Sequence, residues 1–182
     1  MQETLKILKY FPEIKKYLTG YGIDIGCGDC PVTENCIKFD KDIGDANNIN
    51  EYYEDNTFDF VFSSHCLEHM NNPYISVKSW WSKVKIGGYL IVAVPDEDLY
   101  EQGVFPSRFN TDHKHTFTIY KEKSWSNVSV NIVDLINLLE NRKIIYVGVQ
   151  DSNYDYILPQ GVDQTMQKDV LAQNLFIIQK TK

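Results

Sequence analysis

Residues 21–29 read Tyr-Gly-Ile-Asp-Ile-Gly-Cys-Gly-Asp, and this stretch constrains the chain more than any other. The isoleucines flanking Asp24 predict a short buried strand, and Gly26 and Gly28 follow immediately, where the chain must turn sharply. Glycines at such a turn let the backbone approach a ligand with no Cβ in the way. The third glycine of the dinucleotide fingerprint, which lets a helix pack closely on the sheet, is replaced by Pro31. A strand running into Gly-x-Gly therefore points to an open α/β sheet with a ligand beyond the strand end, without fixing the ligand.

The rest of the chain supplies matching elements. Apolar residues at 5, 8, 11, 14 and 18 follow a helical period, with Pro12 placed to start a second helical piece. Ile37-Lys38-Phe39 predicts a second strand ending at Asp40, and Phe58–Phe62 a buried strand running to Ser63-Ser64. Asn72 and Pro73 supply a cap and a first-turn proline for a helix with the stripe Val77, Trp80, Trp81 and Val84, which Gly87-Gly88 should stop. Tyr89–Val94 is the clearest buried strand, and Pro95 ends it. Ile132, Leu135, Ile136 and Leu139 form a last helical stripe with Asn141 as its cap, followed by strands over 143–149 and 175–179. Residues 151–174 read as an insertion with at most one helix. Alternating strands and helices imply a doubly wound, mainly parallel sheet covered on both faces.

At 182 residues the chain suits a single domain. Its expected divisions are an N-terminal helical segment (1–19), a cofactor-binding core (20–95), a substrate loop (96–120) and the C-terminal half of the sheet (121–182). The net charge of −7 argues against a large phosphate-backbone surface, so nucleic acid is not an expected partner. Lysines between Lys6 and Lys16 alternate with apolar residues and read as a solvated helix face. With no cleavable signal pattern and no apolar run approaching the ~20 residues of a membrane helix, a cytoplasmic protein is expected. Cys27 and Cys30 form a C-x-x-C with no second pair to complete a zinc site, so the four cysteines read as reduced thiols.

Ligands of such sheets bind beyond the strand C-termini, at 26–29, 40–46, 63–69 and 95–115 here. Asp40 ends the second strand and can accept two hydrogen bonds from a ribose diol, while Asp45 in Gly44-Asp45-Ala46 can accept one from an exocyclic amine. Either aspartate alone reads equally well as a cap or loop residue. In order, however, GIDIGCGD, Asp40, GDA at 44–46, FDFVFSSHCLEHM at 58–70 and VKIGGYLIVAVPD at 84–96 resemble the class I, Rossmann-like S-adenosylmethionine-dependent methyltransferases of the short "type 11" variety. The resemblance covers residues 20 to 96. It implies S-adenosylmethionine as cofactor, with Gly26, Cys27 and Gly28 wrapping its methionine part and Asp24 steadying that loop. It further implies Asp40 at the ribose, Asp45 and Ala46 at the adenine, and Ser63, Ser64 and His65 along the sulfonium. Two departures stand out: ten residues between Ile25 and Cys36 are too few for a crossover helix, and the strand expected before Asp45 is reduced to almost nothing.

Holding an acceptor in line with the sulfonium supplies most of the rate, and a base can remove the acceptor proton. His113 and His115 in Asp112-His113-Lys114-His115-Thr116 would share a face if that segment were a strand, and His69 belongs to the L-E-H stretch of the resemblance. These three are the candidate bases. Arg108, Tyr100, His113 and His115 are the candidate acceptor contacts, with Arg108 suggesting a phosphate or carboxylate. The expected acceptor is a small molecule, methylated on oxygen or nitrogen, and similar short enzymes suggest surface polysaccharide biosynthesis by analogy. Spacings of H-x-x-x-H and H-x-H raise a metal site, but no metal is expected. A nicotinamide-dependent oxidoreductase and a non-catalytic cofactor-binding protein are the competing readings. Tyr100, Phe105, Phe109 and Phe117 could close over the cofactor or form a small satellite core.

Overall fold

A computed structural model describes residues 3–182. Six strands form one sheet: β1 (Gly22–Ile25), β2 (Ile37–Phe39), β3 (Phe58–Ser64), β4 (Val84–Pro95), β7 (Arg142–Gln150) and β8 (Gln173–Lys180), in the order β2-β1-β3-β4-β8-β7. The four strands from β2 to β4 are mutually parallel, and β8 runs antiparallel to both its neighbours. The sheet is thus mainly parallel, as expected. Two further strands, β5 (Thr116–Thr118) and β6 (Ser129–Asn131), pair in parallel outside it.

Period-two alternation divides the apolar residues between two faces. Ile23, Ile25, Val61, Leu90, Val92 and Phe176 pack against α2 (Pro73–Lys83) and α3 (Ile132–Asn137), which contribute Val77, Trp80, Ile132, Leu135 and Ile136. Phe60, Phe62, Ile91, Ala93, Leu175 and Ile177 face the other way, onto Ile7, Ile14 and Leu18 of the N-terminal segment and onto Val32 and Cys36. Asn72 caps α2 by accepting from the amides of Tyr74 and Ile75, and Pro73 occupies the first turn.

The two departures are visible as shape. No helix lies between β1 and β2; a loop over 26–36 covers that part of the sheet, and 41–45 forms no strand, so the three-residue β2 is the edge.

Several local expectations change. The N-terminal helix α1 covers Glu3–Tyr10, and a 3₁₀ helix over Pro12–Tyr17 follows the proline. Its buried stripe, however, runs through Ile7, while Leu5 is exposed. Lys6 is not on a solvated face: it is buried, with Nζ 2.8 Å from Glu3 Oε1 and 2.6 Å from the Thr165 carbonyl. α2 stops at Lys83, and β4 begins three residues ahead of the glycine pair because Val84 is already extended and buried. Asn141 takes a positive φ beyond α3, whose own cap residue is Leu138. Segment 151–174 holds one 3₁₀ turn, Gln164–Met166.

Candidate active site

The C-terminal ends of β1, β2 and β3 open into a cavity of about 830 Å³, within the range of small-molecule sites. Gly26, Phe39, Asp40, Asp45 and Ala46 line one end. His65, His69, His113 and the run Asn110–Lys114 line the other.

The first end is built almost wholly from one stretch of chain. Gly26 leaves β1 at φ +79° and donates its amide to the Phe39 carbonyl at 2.8 Å, tying the glycine turn to β2. A Cβ on Gly26 would stand 2.5 Å from Cys66 Cβ, so the position excludes every other residue on both conformation and space. Gly26→Ala is expected to lower stability by about 1–3 kcal/mol and to weaken cofactor binding, read by urea unfolding and calorimetry. An unshifted urea midpoint would contradict the steric argument.

Asp40 accepts the Gly28 amide at 2.7 Å on one oxygen and the Lys41 amide at 2.7 Å on the other. One lone pair on each oxygen remains for a diol facing the cavity. Asp45 accepts the Asn47 amide at 2.9 Å, capping the 3₁₀ helix Ala46–Glu51, and these bonds hold its carboxyl below the usual range. Its partner loop is pinned from below, where Trp80 Nε1 donates to the Ala46 carbonyl at 3.0 Å.

Asp24 lies beneath this surface. It is buried and accepts the Val32 amide at 2.7 Å, clamping the loop that replaces the crossover helix. Burial pushes its carboxyl from 3.8 up to about 7, against the pull of that hydrogen bond. The folded chain thus keeps this proton to near neutrality while the unfolded chain releases it near its ordinary value. The contribution to stability is greatest in acid and is lost as pH rises through about 7. Asp24→Asn, which retains an acceptor for Val32, is expected to exceed the parent in stability at pH 8 by a few kcal/mol, with the difference shrinking toward pH 4. Urea unfolding at the two pH values measures this, and an advantage independent of pH would refute it.

Of the other expected cofactor residues, Cys27, Gly28, Ser63 and Ser64 do not line the cavity. Cys27 Sγ turns to the Gly28 carbonyl and is raised to about 11 by burial. Ser63 and Ser64 are buried in β3 with no hydrogen-bond partner for either hydroxyl. His65, at φ +54°, is the residue of that run that turns into the cavity.

At the other end, Glu68 is fully buried at the centre of a group of imidazoles. Its Oε1 lies 3.7 Å from His65 Nδ1, 3.9 Å from His69 Nε2 and 3.8 Å from His113 Nε2. Burial pushes the Glu68 carboxyl up to about 7 and the His65 imidazole down to about 4, the latter opposed by a 2.8 Å bond between Nε2 and Gln173 Oε1. His69 is lowered by burial as well, and its Nδ1 lies 3.1 Å from the Asp112 carbonyl. His113 Nδ1 lies 2.6 Å from the buried carboxylate of Glu101. Backbone ties complete the arrangement: the Lys114 and His115 amides donate to the Glu68 carbonyl at 2.9 and 3.3 Å.

His113 and His115 do not share a face. β5 starts at Thr116, so 112–115 is loop, and only His113 enters the cavity. Arg108 is exposed and points toward Gly161, away from the site. Tyr100 stacks behind His113 at 5.4 Å and on Phe109 at 5.7 Å, supporting the imidazole from outside the cavity. Phe117 belongs to the main core. Sequence reasoning missed Glu101, whose only signal was an acidic run in an aperiodic loop, and the cations Lys41 and Lys114 that line the cavity.

A mainly parallel sheet, a glycine turn, an acid just beyond β2 and a second acid capping the next helical turn, all facing one cavity, define a nucleoside-cofactor site of the Rossmann-like class. Residues 6–92 match the family model described as "Methyltransferase domain". That match spans a little under half of the chain and agrees with the resemblance of its motifs to the class I, S-adenosylmethionine-dependent methyltransferases. The cofactor of such a domain is S-adenosylmethionine, and the cavity fits it in size, in its glycine turn and in the free lone pairs of Asp40.

The fold is similar to that of solved structures. A SAM-dependent methyltransferase from Archaeoglobus fulgidus has a TM-score of 0.59 at 16% identity, over 98% of this chain and 93% of that one. One from Methanosarcina mazei has a TM-score of 0.57 at 16% identity, over 93% and 97%. At these identities the similarity is one of fold. No curated protein matches the sequence.

Proposed function

We propose that the chain methylates an oxygen or nitrogen of a small acceptor held between His65, His69, His113 and the run Asn110–Lys114. The observation that carries this reading is one cavity lined both by the glycine turn with Asp40 and Asp45 and by the imidazoles of His65, His69 and His113. Bound there, S-adenosylmethionine supplies an electrophilic methyl group. The residues named for it are Gly26, Asp40, Asp45 and Ala46 at the surface, with Asp24 as support beneath. His69 and His113 are placed to receive or fix the acceptor proton, because each has its Nδ1 engaged elsewhere and its Nε2 facing inward.

An acceptor carrying phosphate or carboxylate would meet Lys41 and Lys114 rather than Arg108. A sugar-linked acceptor from surface polysaccharide synthesis fits that chemistry, as does a cytoplasmic setting. Among the described residues no helix is long and apolar enough to cross a membrane.

Labelled S-adenosylmethionine should be incubated with the protein and a panel of sugars, sugar phosphates, phenols and amines, with nucleic acid included as a contrast. Label transferred to a small hydroxyl or amine acceptor supports the reading. Transfer to nucleic acid overturns the acceptor class, and cofactor binding without transfer to any acceptor would leave a cofactor-binding protein.

A further inference from the structure

We propose that Glu68, His69 and His113 hold one divalent transition-metal ion at the acceptor end of the cavity. The proposal deepens the reading above, on which it depends for the ion's role: with Nε2 of His69 and His113 on the ion, the rings act on the acceptor through the metal's open position rather than by receiving its proton themselves.

The first observation is Glu68 itself. It is completely buried, yet neither carboxylate oxygen has a hydrogen-bond partner. A buried carboxyl without a donor is costly, and folded proteins leave few such groups. The surrounding imidazole nitrogens, at 3.7–3.9 Å, are too distant to serve as those donors.

The second observation is the orientation of the imidazoles. Both groups behind His69 and His113, the Asp112 carbonyl and the Glu101 carboxylate, accept hydrogen bonds, so each ring carries its proton on Nδ1. The Nε2 of each, on the other side of the ring, faces Glu68. A ring nitrogen bonded to a carboxylate or backbone carbonyl, with the opposite nitrogen free, is the arrangement metal-binding histidines adopt. The same pattern twice, converging on one unpartnered carboxylate, is what distinguishes this cluster from a proton-sharing network.

Among the described residues this is the group whose ligand atoms converge, all lying within 4.8 Å of one another. A zinc ion with nitrogen ligands at about 2.0–2.1 Å and oxygen at about 2.0–2.2 Å sets such atoms roughly 3.3 Å apart. The carboxylate–imidazole separations of 3.8–3.9 Å need to close by about half an ångström, and the widest separation in the group, up to 4.8 Å, by about 1.5 Å. Two imidazoles and one carboxylate suit zinc, iron(II), cobalt(II) or manganese(II) better than calcium or magnesium, which prefer all-oxygen shells. Three protein ligands leave a position open, and because His69 and His113 line the cavity, that position faces the acceptor.

The test uses the whole protein without a histidine tag. Its metal content is measured by mass spectrometry as purified; after chelator dialysis, cobalt(II) is titrated while its visible absorption is followed. One transition-metal ion per chain, or one cobalt bound with ligand-field bands, is expected. Glu68→Gln and His69→Ala should each weaken cobalt binding by more than about 100-fold, and the milder Glu101→Gln, which leaves the three ligands in place, by about 10–100-fold. No bound metal together with no cobalt absorption in the parent protein overturns the proposal, as does undiminished binding in Glu68→Gln. Calorimetric titration of the metal-free protein with S-adenosylmethionine separates the two readings. Cofactor binding without any metal binding defeats this proposal alone, whereas metal binding without cofactor binding defeats the cofactor's place in this cavity.

Discussion

His113→Ala is expected to lower methyl transfer by about 10²–10⁴-fold, the usual contribution of a positioned proton-handling group, with S-adenosylmethionine affinity nearly unchanged. The asymmetry follows from where His113 stands. Its ring lines the cavity, held by Glu101 at 2.6 Å and by the tilted ring of Tyr100, and its hydrogen bond goes to Glu101 rather than to any residue named for the cofactor. The loss should therefore fall on turnover and acceptor KM. Glu101→Gln, which keeps a hydrogen-bonding partner for Nδ1 without its charge, should fall between parent and alanine variant. His115→Ala serves as the contrast, because His115 lies outside the cavity and should retain turnover. Full activity in His113→Ala, measured with the acceptor found by the labelled screen, would remove this residue from the site.

The second large effect is structural. Glu97→Ala is expected to destabilise the protein by about 3–5 kcal/mol, as breaking a buried charged network does, and to lower Tm by on the order of 10 °C. The Glu97 carboxylate has no exposed surface and accepts from Lys121 Nζ at 3.0 Å, Thr116 Oγ1 at 3.2 Å, Ser124 Oγ at 2.7 Å and Ser129 Oγ. One side chain just beyond β4 thereby fastens the segment that contains β5 and β6. Alanine leaves four donors at once without their acceptor, Thr116 among them buried and the other three partly so, whereas Glu97→Gln retains part of the network and should cost less. Calorimetric unfolding of the three proteins would decide it, and a Tm for Glu97→Ala within a degree or two of the parent would contradict the network's importance.

The sheet was readable because β3, β4 and β8 contain long apolar runs and β1 and β4 end at a glycine or a proline, patterns fixed by local chemistry. The cofactor end was readable for the same reason at Gly26 and Asp40, which sit at strand ends, while Asp45 was readable only from the order of the motifs, since it caps a 3₁₀ helix and follows no strand. The imidazole end was not. Whether 112–115 is strand or loop depends on where β5 begins, and that is set by its pairing with β6, a tertiary event. Read as a strand, the segment made equals of His113 and His115; as a loop it turns one inward. Glu101 was invisible because its partner lies across an aperiodic loop, and Lys6 looked solvated because its buried acceptors come from Glu3 and the distant Thr165. Charge in a sequence does not announce its burial when the compensating group is far along the chain.

The shortened crossover after β1 also bears on the order in which the site assembles. Because no helix intervenes, Gly28 and Asp40 meet across only 12 residues, and closing so small a loop sacrifices little chain entropy. The imidazole end must instead bring His69 to Asp112 across 43 residues and His65 to Gln173 across 108. Contacts that span so much chain form late and open early. Hydrogen exchange should accordingly find the amides of Gly26 and Gly28 protected more strongly than those of Lys114 and His115, so that the half of the cavity meant for the acceptor breathes while the half meant for the cofactor stays shut.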